Sequence, residues 1–514
     1  MIKEPQQAST RVVFNSMVLY VKMLITVGIS LYSTRLVLNA LGASDFGIFN
    51  LIAGVIAMLS FLNAAMTVST QRYLSFHQGT GDFEMQKKVF TNSWILHISI
   101  GLIVVLALLA VVPLISFLNI PQERMATAKF IYYFMSVSMF FTIISVPFTA
   151  SINAHENMLW IAIVNIIESV LKLCIALSLL WFIQPERLMV YGILMTIISV
   201  ITFLLYACYC LKKYHECNIR NYQIDKPLIK EMGGFTGWNL IGALSNAGRV
   251  QGLAIILNVF FGTVINAAYG IAHQISMQLN FLSQTLLRAL NPQIMKSEGM
   301  NDRKRMLRLS MMASKFGFFL VAIIAIPAIF EMPAILQLWL KNVPENTVLF
   351  CSLILVSTLI LQLTVGIQSA MQSVGKIKFY TLIVGGNMFL NLPIAAALLL
   401  IGLPAYSVLI SFIFIEIINL FLRLYFAKKI AGLSIKEYCD RVFFKVFLPI
   451  LTYIITCWLI VHFLNLNFRF LITIFVSILV FITSIYFLGL CEDEKLLVTN
   501  MVNKLKVIQN ARKN

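Results

Sequence analysis

Long apolar runs follow one another almost from end to end of the chain, separated by short polar turns. Each run is about the 20 residues an α-helix needs to cross a bilayer. About fourteen spans are predicted on this pattern, near 13–41, 46–75, 89–117, 126–150, 158–183, 188–211, 233–261, 267–295, 309–335, 347–373, 379–401, 405–427, 443–463 and 469–490. The breaks are Gly, Pro, Asn or charged turns, such as Asn119-Ile120-Pro121-Gln122-Glu123 and Gly402-Leu403-Pro404. The expected fold class is an all-α integral membrane protein.

The turn after the first span is the reference point for the rest. It reads RLVLNALGASDFGIFNLIAG from Arg35 to Gly54. Its Leu38-Asn39-x-Leu41-Gly42 and Phe46-Gly47-Ile48 are echoed loosely by Leu257-Asn258-x-Phe260-Phe261-Gly262 and Tyr269-Gly270-Ile271. A second correspondence pairs the polar turn 153–157 with 373–378. Each precedes a span with Asn at its middle, Asn165 in one and Asn387 and Asn391 in the other. Two matches in one register point to an internal repeat of six helices and six, a plan on which transporters are built. The organisation read from this is a first six-helix lobe over 1–211, an inter-lobe loop over 212–232, a second six-helix lobe over 233–430, and two additional helices with a tail over 431–514.

Composition sharpens the picture. The 514 residues are 60% hydrophobic and 12% charged, with mean hydropathy +0.88, and no stretch is long and polar enough to be a separate soluble domain. The net charge of +18 invites a nucleic-acid partner. The distribution argues against one. About 28 of the 39 Lys and Arg fall in alternate segments, whereas the intervening loops carry only Arg124, Lys129, Arg187, Lys341 and Arg469. Positive charge stays inside, so both termini are expected in the cytoplasm. The first run continues past Lys22 and Arg35 without a small-residue cleavage site and is expected to remain as a span. The eight cysteines lack paired spacing and read as small hydrophobes, including Cys208, Cys210 and Cys217 near His215. No metal is expected.

Polar groups inside a bilayer are expensive, so the faces they share carry information. At 100° per residue, Asn15, Lys22, Thr26 and Ser33 share a face of the first span, and Ser60, Asn63, Thr67 and Thr70 a face of the second. Asn165, Glu168 and Lys172 do so in the fifth. The seventh carries Trp238, Gly242, Ser245, Asn246 and Arg249, and the eighth Gln274, Gln278, Thr285 and Arg288. The simplest reading is a water-filled cavity lined by two lobes, with helix-to-helix glue as the alternative for Ser and Thr. Arg35 either snorkels or caps the turn after it, and Arg423 is expected to snorkel to the inner interface. Glu168 lies one turn before Lys172 and reads as its partner. The cavity is left with a surplus of cations. A phosphate-bearing substrate would balance it, because the planar guanidinium fork fits phosphate oxygens.

The Arg35…Leu41-Gly42…Asp45-Phe46-Gly47-Ile48 turn, the repeat, the two added spans and the cationic stripes resemble the polysaccharide flippases of Wzx type. Those belong to the superfamily that also holds the MATE multidrug exporters and the lipid II flippases. The resemblance implies two six-helix lobes opening alternately to either side. It implies a polyprenyl-diphosphate-linked oligosaccharide moved from the cytoplasmic to the outer leaflet of a bacterial inner membrane, for a lipopolysaccharide O-antigen, a capsule or an exopolysaccharide, alongside other polysaccharide-assembly proteins. By position, Arg249 and Arg288 would hold the diphosphate with Lys22 and Lys172 assisting, and Asn63, Asn246, Gln274 and Gln278 would meet sugar hydroxyls. No cofactor is implied beyond Na⁺ or H⁺ as a coupling ion, for which Glu168 and Glu416 are the candidates. One chain holds both lobes, so a monomer suffices.

Two other classes are weighed against this. A MATE-type exporter of organic cations, coupled to Na⁺ or H⁺, would use the same fold but wants acids in the cavity. A membrane-embedded polysaccharide polymerase or ligase wants a reaction centre on a large outer loop. The outer loops here are short, and no nucleophile stands at helical spacing from a base. The expectation is therefore a transporter and not an enzyme.

Overall fold

The structure, a computed structural model, describes residues 3–57, 60–117, 121–182, 186–218, 224–340, 343–464, 469–496 and 499. Asn119 and Ile120 of the predicted turn, the basic residues Arg220 and Lys341, and the tail beyond 499 lie outside them. The described residues form helices and connecting turns, with no strand among them. Their order is α1 (Lys3–Ala57), α2 (Ser60–Thr80), α3 (Phe83–Val111), α4 (Gln122–Ile144), α5 (Val146–Ala154), α6 (Met158–Ser178), α7 (Arg187–Lys213), α8 (Lys226–Gly299), α9 (Arg303–Phe330), α10 (Met332–Leu340), α11 (Thr347–Gln362), α12 (Val365–Val374), α13 (Lys378–Leu400), α14 (Ser407–Ala431), α15 (Ile435–Tyr438), α16 (Phe444–Phe463) and α17 (Arg469–Ser484).

Eleven of the described helical segments are long and apolar enough to cross a membrane, or twelve if the bent pair α11–α12 is one span. The predicted count of fourteen is not reached. The eighth predicted span falls short, and the second is divided at residues 58–59, which lie outside the described residues. In the eighth, α8 carries Gln274, Gln278, Gln284 and Arg288, and such residues lower hydropathy below what lipid exposure demands.

Local chemistry sets the boundaries. Asp82, Asn157, Asp302 and Ser434 cap α3, α6, α9 and α15 by accepting from a backbone N–H three residues on. Gly375 and Gly432 end α12 and α14 in the left-handed region. Both long merged helices change direction at a glycine no other residue would suit: Gly42 in α1 (φ 79°, ψ 168°) and Gly262 in α8 (φ 77°, ψ −168°). These are the two glycines at the ends of the sequence echo, and they share one backbone conformation. The turns 153–157 and 373–378 fall between α5 and α6 and between α12 and α13, as the second correspondence requires.

The chain divides into two compact units. Phe14–Leu240 forms the first. Its core runs from Val37, Leu41 and Ile52 through Tyr132, Ile143 and Val146 to Ile175 and Tyr191. The turn after Gly42 is held there by Asp45, whose Oδ2 is 3.0 Å from Arg124 Nη2. Arg187 Nη1 adds a bond to the Ala40 carbonyl at 2.9 Å. Arg35 is exposed. At the opposite end Asn15 donates to the Glu156 carbonyl at 2.9 Å, tying α1 to the α5–α6 turn.

Ile241–Asn514, with residues 1–13, forms the second unit. One part of its core lies among Leu253, Leu257, Val321, Phe350, Leu355 and Val408, another among Leu290, Ile294, Met306 and Ala370. Backbones approach closely where side chains are absent. A Cβ on Gly366 would lie 2.1 Å from the Ser310 carbonyl oxygen, which sets α12 against α9. Gly248 and Gly252 form a small-residue stripe of α8 against Phe389 and Leu392 of α13. The 42° bend between α11 and α12 frees the Leu363 carbonyl, and the Tyr438 hydroxyl satisfies it at 2.6 Å. The added helices α16 and α17 pack on one another and on α9.

Candidate functional site

The close approach of α8 to α13 carries Arg249, next to Gly248, into the second unit, where α14 presents Glu416. Arg249 Nη1 donates to Glu416 Oε2 at 3.1 Å, and its Nη2 to Asn246 Oδ1 at 3.2 Å. The guanidinium carbon stands 4.0 Å from the centre of the Phe412 ring. Glu416 and Arg423 are seven residues apart, two turns on one face of α14. Arg423 Nη1 donates to Glu416 Oε1 at 2.8 Å and to Thr364 Oγ1 at 3.1 Å, inside the α11–α12 bend. The Tyr380 hydroxyl faces Arg423. The side chains of Arg249, Glu416 and Arg423 are only 5%, 2% and 2% exposed. Charges so buried are tolerable in a bilayer only when paired and hydrogen-bonded.

Arg423 is therefore corrected. It does not snorkel; it is buried with a carboxylate and a threonine. Glu416, read from the sequence as a coupling-ion candidate, and Arg249, read as a substrate-binding cation, are bonded to one another. What the sequence missed is that one acid bridges two arginines. The i, i+7 spacing of Glu416 and Arg423 was the available signal.

The remaining singled-out residues are distributed. In the first unit Lys172 Nζ donates to Glu168 Oε1 at 2.6 Å, the intrahelical pair expected from their spacing. Neighbouring Asn165 donates to the Ile161 carbonyl and to Tyr206 Oη. Lys22 is buried at 8% exposure, with Asn15 and Ser33 of the same stripe also buried. Asn63 is half-buried and its carbonyl accepts from Thr67, while Thr70 bonds Ser93 of α3 at 2.8 Å. That part of the stripe is helix-to-helix glue. In the second unit Gln274, Gln278 and Arg288 are exposed on α8 together with Gln284, and Asn246 is exposed above the buried Arg249. Thr285 is buried and bonds its own helix.

Two further buried ion pairs were not anticipated. Glu331, at the end of α9, accepts from Arg469 Nε and Nη2 at 2.9 and 3.1 Å and from Thr473 Oγ1 at 2.8 Å. Lys315, which the sequence reading passed over, is 1% exposed and donates to Glu494. At the charged end of the first unit, Glu216 accepts from Ser151 Oγ at 2.8 Å and pairs with His155 Nε2 at 2.7 Å. The His155 ring stacks on Tyr214. Burial alone would push the Glu216 carboxyl up; the His155 and Ser151 bonds outweigh it and hold it below its ordinary value.

A family model described as MatE matches residues 19–177. No curated protein matches the chain in sequence. Solved structures match in shape. A MATE transporter in its bent conformation superposes with TM-score 0.74 at 14% identity, over 84% of this chain and 98% of the other. An outward-facing multidrug resistance MATE family transporter of the MOP superfamily gives 0.72 at 14%, over 83% and 96%. A MOP superfamily transporter from Pyrococcus furiosus, described as having a binding pocket of reverse polarity that suggests a different function, gives 0.71 at 14%, over 83% and 96%. At these identities the likeness establishes the fold, which is that of the MATE transporters.

Proposed function

We propose that this chain is an exporter of MATE type, moving a small amphipathic substrate across the bacterial inner membrane by alternating access, with both termini in the cytoplasm. The observation that carries the reading is the likeness to multidrug transporters over more than four-fifths of the chain, supported by the MatE match over residues 19–177. No covalent chemistry is required of it. The exposed stripe of Gln274, Gln278, Gln284 and Arg288 supports a water-facing surface on the second unit, because such groups do not face lipid.

One observation favours the flippase as a second reading. A cation exchanger wants a carboxylate free to take the cation, and the span acids Glu168, Glu416 and Glu331 are each bonded to a basic side chain. A polyprenyl-diphosphate-linked oligosaccharide would suit a basic site, and the Pyrococcus furiosus relative is a precedent for altered pocket polarity on this fold. In that reading Arg249, Arg288, Lys22 and Lys172 serve the diphosphate, and Asn63, Asn246, Gln274 and Gln278 the sugars. Native mass spectrometry of the protein in mild detergent separates the two. Organic cations that bind and raise the Tm, with only ordinary phospholipid retained, support the exporter. A retained lipid carrying diphosphate and sugars, depleted in Arg288→Ala, replaces it with the flippase.

A further inference from the structure

The buried cluster around Glu416 is unbalanced in two independent respects. In charge, two guanidinium groups face one carboxylate, a net of +1, since 2 − 1 = 1. In hydrogen bonding, two buried guanidinium nitrogens have no acceptor on the protein among the described residues, Arg249 Nε and Arg423 Nε. The two belong to one patch. Arg249 and Arg423 share Glu416. Asn419 lies between Glu416 and Arg423 on α14 and accepts from Asn387 at 2.8 Å. Asn391 accepts from Ser411 of α14 at 2.9 Å. Asn391 and Asn419 are both completely buried.

A surplus of buried donors and a surplus of buried positive charge call for the same complement, an acceptor with negative charge. A second carboxylate on the protein would have supplied it, and none pairs with the two arginines among the described residues. Hydrogen bonds from charged donors to an anion are the strongest available in such a place. Exposed Asn246, bonded to Arg249, marks the side from which an ion reaches the patch.

We infer that the α8–α13–α14 patch binds one small anion, held by the Arg249 and Arg423 guanidinium groups, and that Glu416 competes with it for both arginines. The ligand chemistry is a singly charged acceptor that can come from two sources, a free halide or an anionic group on the carried substrate. The inference stands apart from the transport reading, since an exporter and a flippase could equally hold the ion.

The test is equilibrium binding of radiolabelled chloride to the purified full-length protein, at constant ionic strength with gluconate as the replacement anion. Wild type is expected to bind saturably, about one ion per chain. Glu416→Gln, which removes the competitor, is expected to bind at least several-fold more tightly, and Arg423→Gln to lose binding. Arg249→Gln keeps the test open if Arg423→Gln does not fold; it is expected to weaken binding. Inorganic pyrophosphate separates the sources: displacement of chloride points to a substrate's anionic group, and no displacement to a dedicated halide site. Absence of saturable chloride binding in wild type, or weaker binding in Glu416→Gln, overturns the inference.

Discussion

Arg469, at the start of α17, holds Glu331 at the end of α9 through two parallel hydrogen bonds of 2.9 and 3.1 Å. The two are not equivalent: the Glu331 side chain is 1% exposed and that of Arg469 29%. The bond fastens α17 to one end of α9, and Glu494, beyond α17, bonds Lys315 within α9.

That asymmetry predicts an order of damage. Arg469→Met strands a buried carboxylate that keeps only Thr473, and should cost about 3 kcal/mol, as breaking one side of a buried pair does. Glu331→Gln leaves Arg469 able to turn to water and keeps an acceptor for Thr473, and should cost about 1 kcal/mol. Apparent Tm in detergent, compared at one scan rate, checks the order. Equal losses would mean that Arg469 is as dependent on the pair as Glu331 is.

How much of this was legible beforehand follows from the period of each signal. Helical spans were readable because burial in lipid imposes long apolar runs, and the sequence echo picked out Gly42 and Gly262, which share one backbone conformation. The count of fourteen is not confirmed: the eighth run is interrupted by polar residues, and the second is divided at residues outside the described ones. Pairings within one helix were partly readable, as Glu168 with Lys172 shows. Those between helices, Arg249 with Glu416 or Lys315 with Glu494 179 residues away, carry no local signature. Arg423 misled for a physical reason: a long basic side chain near a helix end looks the same in sequence whether it reaches water or turns inward.

Gly366 predicts a packing failure. A methyl group there would meet backbone atoms, the Ser310 carbonyl at 2.1 Å and the Ser314 nitrogen at 2.8 Å, which cannot swing aside as a side chain would. Gly366→Ala should cost about 3 kcal/mol or more, at the upper end of overpacking. The loss should appear as a lower Tm and reduced yield. By contrast Gly386→Ala meets nothing within 4 Å and should be close to wild type.

The two kink glycines predict matched costs. A Cβ at Gly42 or Gly262 meets no neighbour within 4 Å, so any penalty comes from the backbone alone. Ala at φ near +78° with extended ψ is strained by about 1–3 kcal/mol. Gly42→Ala and Gly262→Ala should therefore destabilise by similar amounts, measured by apparent Tm. A large loss at only one would break the equivalence of the two turns.

The His155–Glu216 contact predicts a pH dependence at the charged end of the first unit. The Glu216 carboxyl sits below its ordinary value of 4.5 when folded. A depressed folded value gives stability that is fully present above the unfolded value and disappears as pH falls through the folded one. Stability should therefore hold from neutral pH to about 4.5 and fall below it. Glu216→Gln should lower the Tm at pH 7 and remove part of the acid slope. An unchanged slope would place the acid-sensitive group elsewhere.

The buried charges around Glu416 give three single substitutions that should rank in a fixed order. Arg249→Ala leaves Glu416 paired with Arg423, one charge of each sign, so it should insert and fold with the smallest loss. Arg423→Ala also leaves one charge of each sign, but it removes the partner that alone reaches Thr364 across the α11–α12 bend, and should cost more. Glu416→Ala leaves two buried guanidinium groups facing each other with no carboxylate between them, and should cost the most, about 3–5 kcal/mol. Yield and apparent Tm rank the three. If Arg249→Ala folds like wild type yet abolishes export, Arg249 serves the cargo or the conformational cycle. If its transport is unchanged, the guanidinium serves neither the cargo nor the cycle.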